Sequence, residues 1–432
     1  MSLKAFFGLL GGMLVLAFVA NRLFRRTRVP DVFILMATGV LLGPVFGWVN
    51  PARFEQVTHA FGTLAVILIL FEGGLELDVR ETFRDFPGGA VLGLLTYLFS
   101  FTVISLVAWW GMALPFPTAL LVGGVLGCTS SAIVLPILQQ IEVRQPVKVT
   151  LLLEASLGDV LAVLTVGVLL DVSASGGPAL SRFGQGFLAE IVISLLLALV
   201  AGILWSRLLP YLSEQRFWHV LTFSVVLLLY AASEAAHGSG LIAVLAFGIV
   251  LANVPGVTRW LVRTTMGLEE PASEHHQQVL TFHAELAFLV RTFFFVLLGV
   301  VVKLAGLTKF VLPVLGILGA IFLARWLAIH GSRWAWREFA PLEREVVLWI
   351  LPRGLITAVL AIQVVEMRGS AYAWLPALAF AVILATNAMV VVGTVRARRF
   401  MQASAVATAE AARPSALEPS GSESAASQRK IT

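Results

Sequence analysis

Apolar stretches of about 20 residues recur along almost the whole chain, each the length a helix needs to cross a ~30 Å hydrocarbon core. They run Leu3–Arg22, Pro30–Val49, Thr58–Leu77, Gly88–Met112, Pro117–Gln140, Lys148–Asp171 and Gly186–Pro210. They continue with Phe217–Ala236, Ser239–Val254, Val279–Lys303, Thr308–His330, Glu343–Glu366 and Ala371–Arg396. A membrane admits only helices and closed barrels, because every backbone polar group must be satisfied internally. Runs of this length therefore predict an all-α polytopic membrane protein with about thirteen transmembrane helices.

Composition agrees, since 59% of the 432 residues are hydrophobic and 13% charged, against roughly half and a quarter in soluble domains. One cysteine, Cys128, excludes an intrachain disulfide framework and a cysteine-cluster metal site. The first apolar run has no clear cleavage site and reads as a span rather than a signal peptide. Residues 1–400 are expected to form one transmembrane domain, and the Ala-, Ser-, Glu- and Pro-rich residues 401–432 a disordered cytoplasmic tail.

Arginine and lysine orient the spans. Alternate loops hold Arg22, Arg25, Arg26, Arg28, Arg80, Arg84, Arg144, Lys148, Arg207, Arg216, Arg259, Arg263, Arg333, Arg337, Arg396, Arg398 and Arg399. The opposite loops hold only Lys4, Arg53, Arg182, Lys303, Lys309 and Arg368. The bias is roughly three to one, which places the first set in the cytoplasm, the N-terminus outside and the C-terminus inside. The formal charge of +5 thus reflects topology before any anionic partner, and no nucleic-acid partner is expected.

An odd span count permits two six-span halves of opposite orientation flanking a lone seventh, the inverted-repeat plan of many secondary transporters. That plan predicts interrupted helices at matching places. The fifth span reads GGVLGCTSSAIVLPIL, with Thr129, Ser130 and Ser131 at its middle, and the twelfth reads WILPRGLITAVLA, with Pro352, Arg353 and Gly354 there. Proline removes a backbone donor and glycine tolerates unusual dihedrals, so helices 5 and 12 are expected to be discontinuous and to cross near the midplane.

The sixth span, LLLEASLGDVLAVL, carries two acids. Counted from Lys148, Asp159 lies about 17 Å deep and Glu154 about 9 Å. A bare charge at such depth costs at least ~2.5–3.5 kcal/mol, so each acid needs a cation or a proton. Arg325 lies about 8 Å from the inner end of the eleventh span, level with Glu154, which predicts a structural Glu154–Arg325 ion pair. Asp159 has two readings: a second ion pair, with Arg353 or Arg291 near the midplane, or a carboxylate that alternately holds a proton and a monovalent cation. Hard cations want oxygen ligands, and Ser156, Thr129, Ser130 and Glu72 offer them; Glu72, in ILILFEGGLELD, reads equally as a charge in an inner vestibule.

At these residues the chain resembles the monovalent cation:proton antiporter superfamily, above all sodium/proton antiporters of the NhaP and eukaryotic exchanger type. FEGGLELD, SGLIAVLAFGIVLAN, FHAELAFLVRTFFFVLLG, FLARWLAIHG and LPRGLITAVLA are similar to its third, ninth, tenth, eleventh and twelfth spans. The resemblance implies the ion-binding role for Asp159, the Glu154–Arg325 pair, the break arginine for Arg353, and a homodimer with core and dimerisation helices. Gly158 stands where this branch has Asn and the electrogenic branch a second Asp, Ala155 replaces a Ser, and CTSSAIVLP lacks the usual acid.

The expected function is secondary active exchange of Na⁺, or Li⁺ or K⁺, for H⁺ by alternating access in the inner or plasma membrane, serving pH homeostasis. With Asp159 as the lone carrier, exchange is one for one and electroneutral. It needs no cofactor, and no phosphate-cradling motif is present. The alternatives are a K⁺/H⁺ antiporter of the same fold and a cation channel, whose continuous pore suits broken helices less well. An enzyme is not expected: His237–Gly240, HGSG, reads as a glycine-punctuated outer turn rather than a hydrolase motif. His275, His276 and His283 read as solvated residues at the inner end of the tenth span, with pH sensing as the other reading.

Overall fold

The structure is a computed structural model that describes residues 3–27, 30–49, 55–76, 87–138, 141, 143–174, 180–212, 217–263, 272–302, 307–332 and 341–411. Among these residues there are fifteen α-helices and no strands. The first seven are α1 (Leu3–Thr27), α2 (Asp31–Val40), α3 (Glu55–Glu76), α4 (Pro87–Leu106), α5 (Phe116–Leu126), α6 (Ser131–Leu138) and α7 (Gln145–Ala174). Then follow α8 (Leu180–Leu212), α9 (Trp218–Ala235), α10 (Gly240–Arg263), α11 (Ala272–Val301), α12 (Val311–Gly331), α13 (Pro341–Trp349), α14 (Leu355–Arg368) and α15 (Leu375–Ala411). Eight spans within the described residues are long and apolar enough to cross a membrane, and four further apolar helices are shorter.

Two of the apolar runs are each split between two helices. Gly127–Ser130 separates α5 from α6, and Ile350–Gly354 separates α13 from α14. Proline alone does not break a helix here: Pro136 lies inside α6, and Pro44 sits in a π-helical turn, Leu41–Val45, that continues α2. The breaks fall where proline or small residues coincide with a tertiary partner for the freed backbone groups, as such breaks at membrane depth require.

Packing sorts the helices into two bundles. Helices α4–α7 and α12–α15 pack mainly on one another, as do α1–α3 and α8–α11, with α14 against α3 and α11 the principal link. In the second bundle the helices approach closely through small residues: Gly39 lies against Gly299, and Gly74 against Gly248, with no room for a Cβ on either side. Apolar residues face both inward and outward, as in a chain surrounded by lipid. Val15, Phe18, Val200, Leu204 and Leu312 are exposed while Leu35, Phe71, Phe247 and Phe294 are buried.

Several helices run past the boundaries expected from apolar length. Helix α10 continues to Arg263 and α11 begins at Ala272, so most of the long loop expected between Pro255 and Gln278 is helical. Helix α15 likewise reaches Ala411. The apolar run marks only the part of a helix that lies in hydrocarbon, whereas the backbone hydrogen-bond ladder continues into polar residues. Arg28, Arg80, Arg84, Arg216 and residues 412–432 lie outside the described residues.

His283 is not solvated as expected but wholly buried, with its ring 4.8 Å from that of Phe71 and 5.3 Å from that of Phe282. The extra helical turns at the start of α11 place it within the bundle. The HGSG segment does form a turn: His237 adopts φ +60°, Ser194 Oγ accepts from Ser239 N at 2.8 Å, and Glu234 Oε1 accepts from Gly240 N at 2.7 Å.

Candidate ion-binding site

The two breaks meet. Ser130 N donates to Pro352 O at 2.8 Å, and the Ser130 hydroxyl lies over Gly354, where no side chain would fit. A split helix leaves orphan donors at the start of one half and orphan acceptors at the end of the other, and charged side chains from neighbouring helices satisfy both. At the start of α6, Asp159 Oδ2 accepts from Ser131 N at 3.2 Å and from Ser131 Oγ at 2.6 Å. At the end of α13, Arg325 Nε donates to Val347 O at 3.0 Å and Nη2 to Ile350 O at 2.8 Å. Negative charge thus faces a helix N-terminus and positive charge a C-terminus, the favourable sense for the helix dipole.

Glu154 and Asp159 are each only 1% exposed. Glu154 Oε1 forms an ion pair with Arg325 Nη1 and accepts from Thr129 Oγ1 at 3.1 Å. Asp159 has no arginine or lysine paired with it among the described residues, and its Oδ1 is buried without a hydrogen-bond partner. Arg291 reaches elsewhere: Nη2 pairs with Asp31 Oδ2 at 3.3 Å and Nη1 donates to Ala132 O at 2.8 Å.

Arg353 is also buried, with Nη1 donating to Thr129 Oγ1 at 3.2 Å. Its backbone is held by α15, as Arg353 N donates to Thr386 Oγ1 at 3.1 Å and Asn387 Nδ2 donates to Arg353 O at 2.9 Å.

The structure therefore divides the sequence-derived ligand candidates. The Thr129 hydroxyl is engaged by Glu154 and Arg353, and Ser130 joins the breaks. Glu72 and Ser156 instead line a cavity of about 150 Å³ between the bundles, together with Ser131, Phe288 and Arg291. Asp159 is not part of the cavity wall; Ser131, which hydrogen-bonds it, is.

Sequence reasoning missed Ser131 as the direct partner of Asp159, and missed Asp31, Thr386 and Asn387 altogether. The Thr386–Asn387 pair interrupts the apolar run Ala371–Arg396 and could have been found by its depth, whereas Asp31 stands at the edge of its run, where depth counting gives no signal.

A second cavity, of about 370 Å³, lies farther along the same interface. It begins at Val163 and Leu164 of α7 and is lined also by Glu190, Glu234, His237 and Gln363. Asp159 lies on α7 between the two.

Residues 13–398 match the family model for the transmembrane region of sodium/hydrogen exchangers. The chain belongs to the sodium/hydrogen exchanger family. This exchanger is 25% identical over 381 residues to Na(+)/H(+) antiporter 1 of Methanocaldococcus jannaschii, covering 84% of each chain. It is 27% identical over 365 residues to the K(+)/H(+) antiporter NhaP of Alkalimonas amylolytica, a match that covers 82% of this chain and 59% of that protein. The fold matches the structure of the sodium proton antiporter MjNhaP1 from M. jannaschii at pH 8, with a TM-score of 0.73 at 21% identity over 91% of this chain and 96% of the other. The exchanger is thus a multi-pass membrane protein with the antiporter fold.

Proposed function

We propose that the chain exchanges a monovalent cation for a proton across a cell membrane by alternating access, with Asp159 as the shared carrier. The observation that carries this reading is the contrast at the helix crossing. Asp159 is as buried as Glu154, but the groups that hydrogen-bond it are neutral, the backbone and hydroxyl of Ser131 and the Cys128 thiol. A carboxylate desolvated in that way must hold a proton or a cation, and exchange follows when the two compete for it.

The architecture supplies the rest of the cycle. Two bundles meet at a narrow interface with a cavity toward each end, so tilting one against the other would open Asp159 to one side at a time. Glu72 stands in the cavity wall, where it attracts incoming cations, and Ser156 offers an oxygen on the same path. The Glu154–Arg325 pair and Arg353 hold the crossing itself.

Na⁺ is the assigned cation. K⁺ is the second reading, favoured by the similarity to proteins named as K(+)/H(+) antiporters. Among the described residues Asp159 is the one acid at the crossing without an ion pair, and Gly158 contributes no carboxylate, so exchange is one for one and electroneutral. Loop arginines place the N-terminus outside and the C-terminus in the cytoplasm, and the protein works as a homodimer in the inner or plasma membrane, in pH homeostasis.

The test uses proteoliposomes with an imposed proton gradient, to which Na⁺, Li⁺ or K⁺ is added with and without a potassium/valinomycin clamp. Wild-type protein is expected to dissipate the gradient at clamp-independent rates, and Asp159→Asn to be inactive though folded. Full exchange by Asp159→Asn would overturn the carrier assignment.

A further inference from the structure

Of the three hydroxyls in the run Thr129-Ser130-Ser131, two are occupied with holding the crossing. The Thr129 hydroxyl lies between Glu154 and Arg353, and that of Ser130 packs over Gly354. Ser131 alone belongs both to the cavity wall and to the immediate surroundings of Asp159. Asp159 itself is 1% exposed, so an ion leaving the cavity meets Ser131 before it meets the carboxylate.

The two oxygens of Asp159 are not equivalent. Both Ser131 hydrogen bonds end on Oδ2, while Oδ1 is buried and has no hydrogen-bond partner. A serine hydroxyl has one proton and two lone pairs. With the proton donated to Oδ2, the Oγ lone pairs remain available to a hard cation, which takes oxygen ligands.

We propose that Ser131 is a positioning residue and co-ligand for the transported cation, anchoring Oδ2 of Asp159 while Oδ1 alternates between proton and cation. This rests on the carrier reading of Asp159. In the proton-loaded state the O–H bond is on Oδ1. That bond breaks, the proton leaves to water in the cavity, and the cation takes its place between Oδ1 and the Ser131 Oγ. Neither Ser131 hydrogen bond has to break in either state, so the carboxylate keeps its orientation through the exchange. The other groups acting on Asp159 come from the two breaks, the Cys128 thiol as a hydrogen-bond partner and Arg353 by its charge, and neither offers an oxygen ligand.

The test compares Ser131→Ala, Ser131→Thr and Asp159→Asn in proteoliposomes, with NaCl and KCl as separate probes and folded yield measured for each variant. The hydrogen bond to Oδ2 is present in both states, so the affinity effect of Ser131→Ala comes from the lost Oγ ligand. Ser131→Ala is expected to raise the cation KM by at least about tenfold with Vmax within about threefold. Ser131→Thr, which keeps the hydroxyl, is expected to restore KM to within about threefold of wild type. A wild-type KM in Ser131→Ala would overturn the inference, as would a loss of folded yield with unchanged KM or a KM that Thr does not rescue. If Asp159→Asn is inactive in that case, only the role of Ser131 falls; if Asp159→Asn is active, the carrier reading falls with it.

Discussion

Glu154 and Asp159 share a helix, face the same crossing and are equally buried, yet one is paired with a guanidinium and the other is hydrogen-bonded by neutral groups, Ser131 foremost. Burial alone therefore does not define a transport site. Glu154 has its countercharge permanently supplied by Arg325, which in turn holds the end of α13 through Val347 and Ile350. Under the proposed function, Asp159 takes its countercharge from solution, so that the same desolvation cost would be met by structure in the first case and by exchangeable ligands in the second.

Removing one partner from the Glu154 side tests that contrast most severely. Arg325→Met leaves a buried carboxylate uncompensated and two carbonyls without donors, an expected loss of about 3–5 kcal/mol, read by thermal melting and by monodisperse yield in detergent. Asp159→Asn, which removes no ion pair, is expected to melt within about 1.5 kcal/mol of wild type. Comparable losses in the two variants would erase the distinction between strut and carrier.

A smaller effect is expected where the two breaks touch. A Cβ added at Gly354 would lie 2.7 Å from the Ser130 Cβ, so Gly354→Ala must push the breaks apart. The expected cost is about 1–3 kcal/mol, with slower exchange in proteoliposomes; unchanged melting and transport would show that the crossing is looser than its geometry implies.

Gly158 provides the opposite case. A Cβ there would have its nearest neighbour, Thr129 N, at 3.7 Å, ordinary contact distance. Gly158→Asp therefore introduces a second acid beside the carrier with little steric cost. Its exchange rate is expected to become sensitive to the valinomycin clamp. A rate still indifferent to voltage would mean that a second carboxylate at this position does not titrate in the cycle.

The smallest effect is expected at the surface. Arg144 Nε donates to Glu343 Oε1 at 2.6 Å and Nη2 pairs with Oε2, linking α13 to the residue just before α7. The arginine side chain is 56% exposed, so Arg144→Ala is expected to cost no more than about 1 kcal/mol and to leave transport intact.

The fold was largely legible because hydrocarbon thickness imposes a length on each apolar run and backbone satisfaction imposes the helix. The breaks were legible too, since proline, glycine and hydroxyl residues gather at the middle of the fifth and twelfth runs. Helix ends such as Arg263 and Ala411 were not, because they lie beyond the region where apolar length is constrained. Within the site, depth counting could bring Glu154 to the level of Arg325, since both sit on continuous helices with a known rise. It could not choose among Thr129, Ser130 and Ser131. A single step in the register of the break redirects each hydroxyl, and that register is set by the Ser130–Pro352 hydrogen bond and by Thr386 and Asn387 holding Arg353. Those contacts join segments more than 200 residues apart (Ser130 with Pro352) or on different helices, and no local pattern announces them.

The central claim, that one carboxylate exchanges a proton for a cation, is tested most directly by proton release. Purified protein in weakly buffered detergent solution, with a pH-sensitive dye, is titrated with NaCl and with KCl. Wild-type protein is expected to release protons as the cation binds, saturating at about one per chain, and Asp159→Asn to release none. Undiminished release from folded Asp159→Asn would contradict the account.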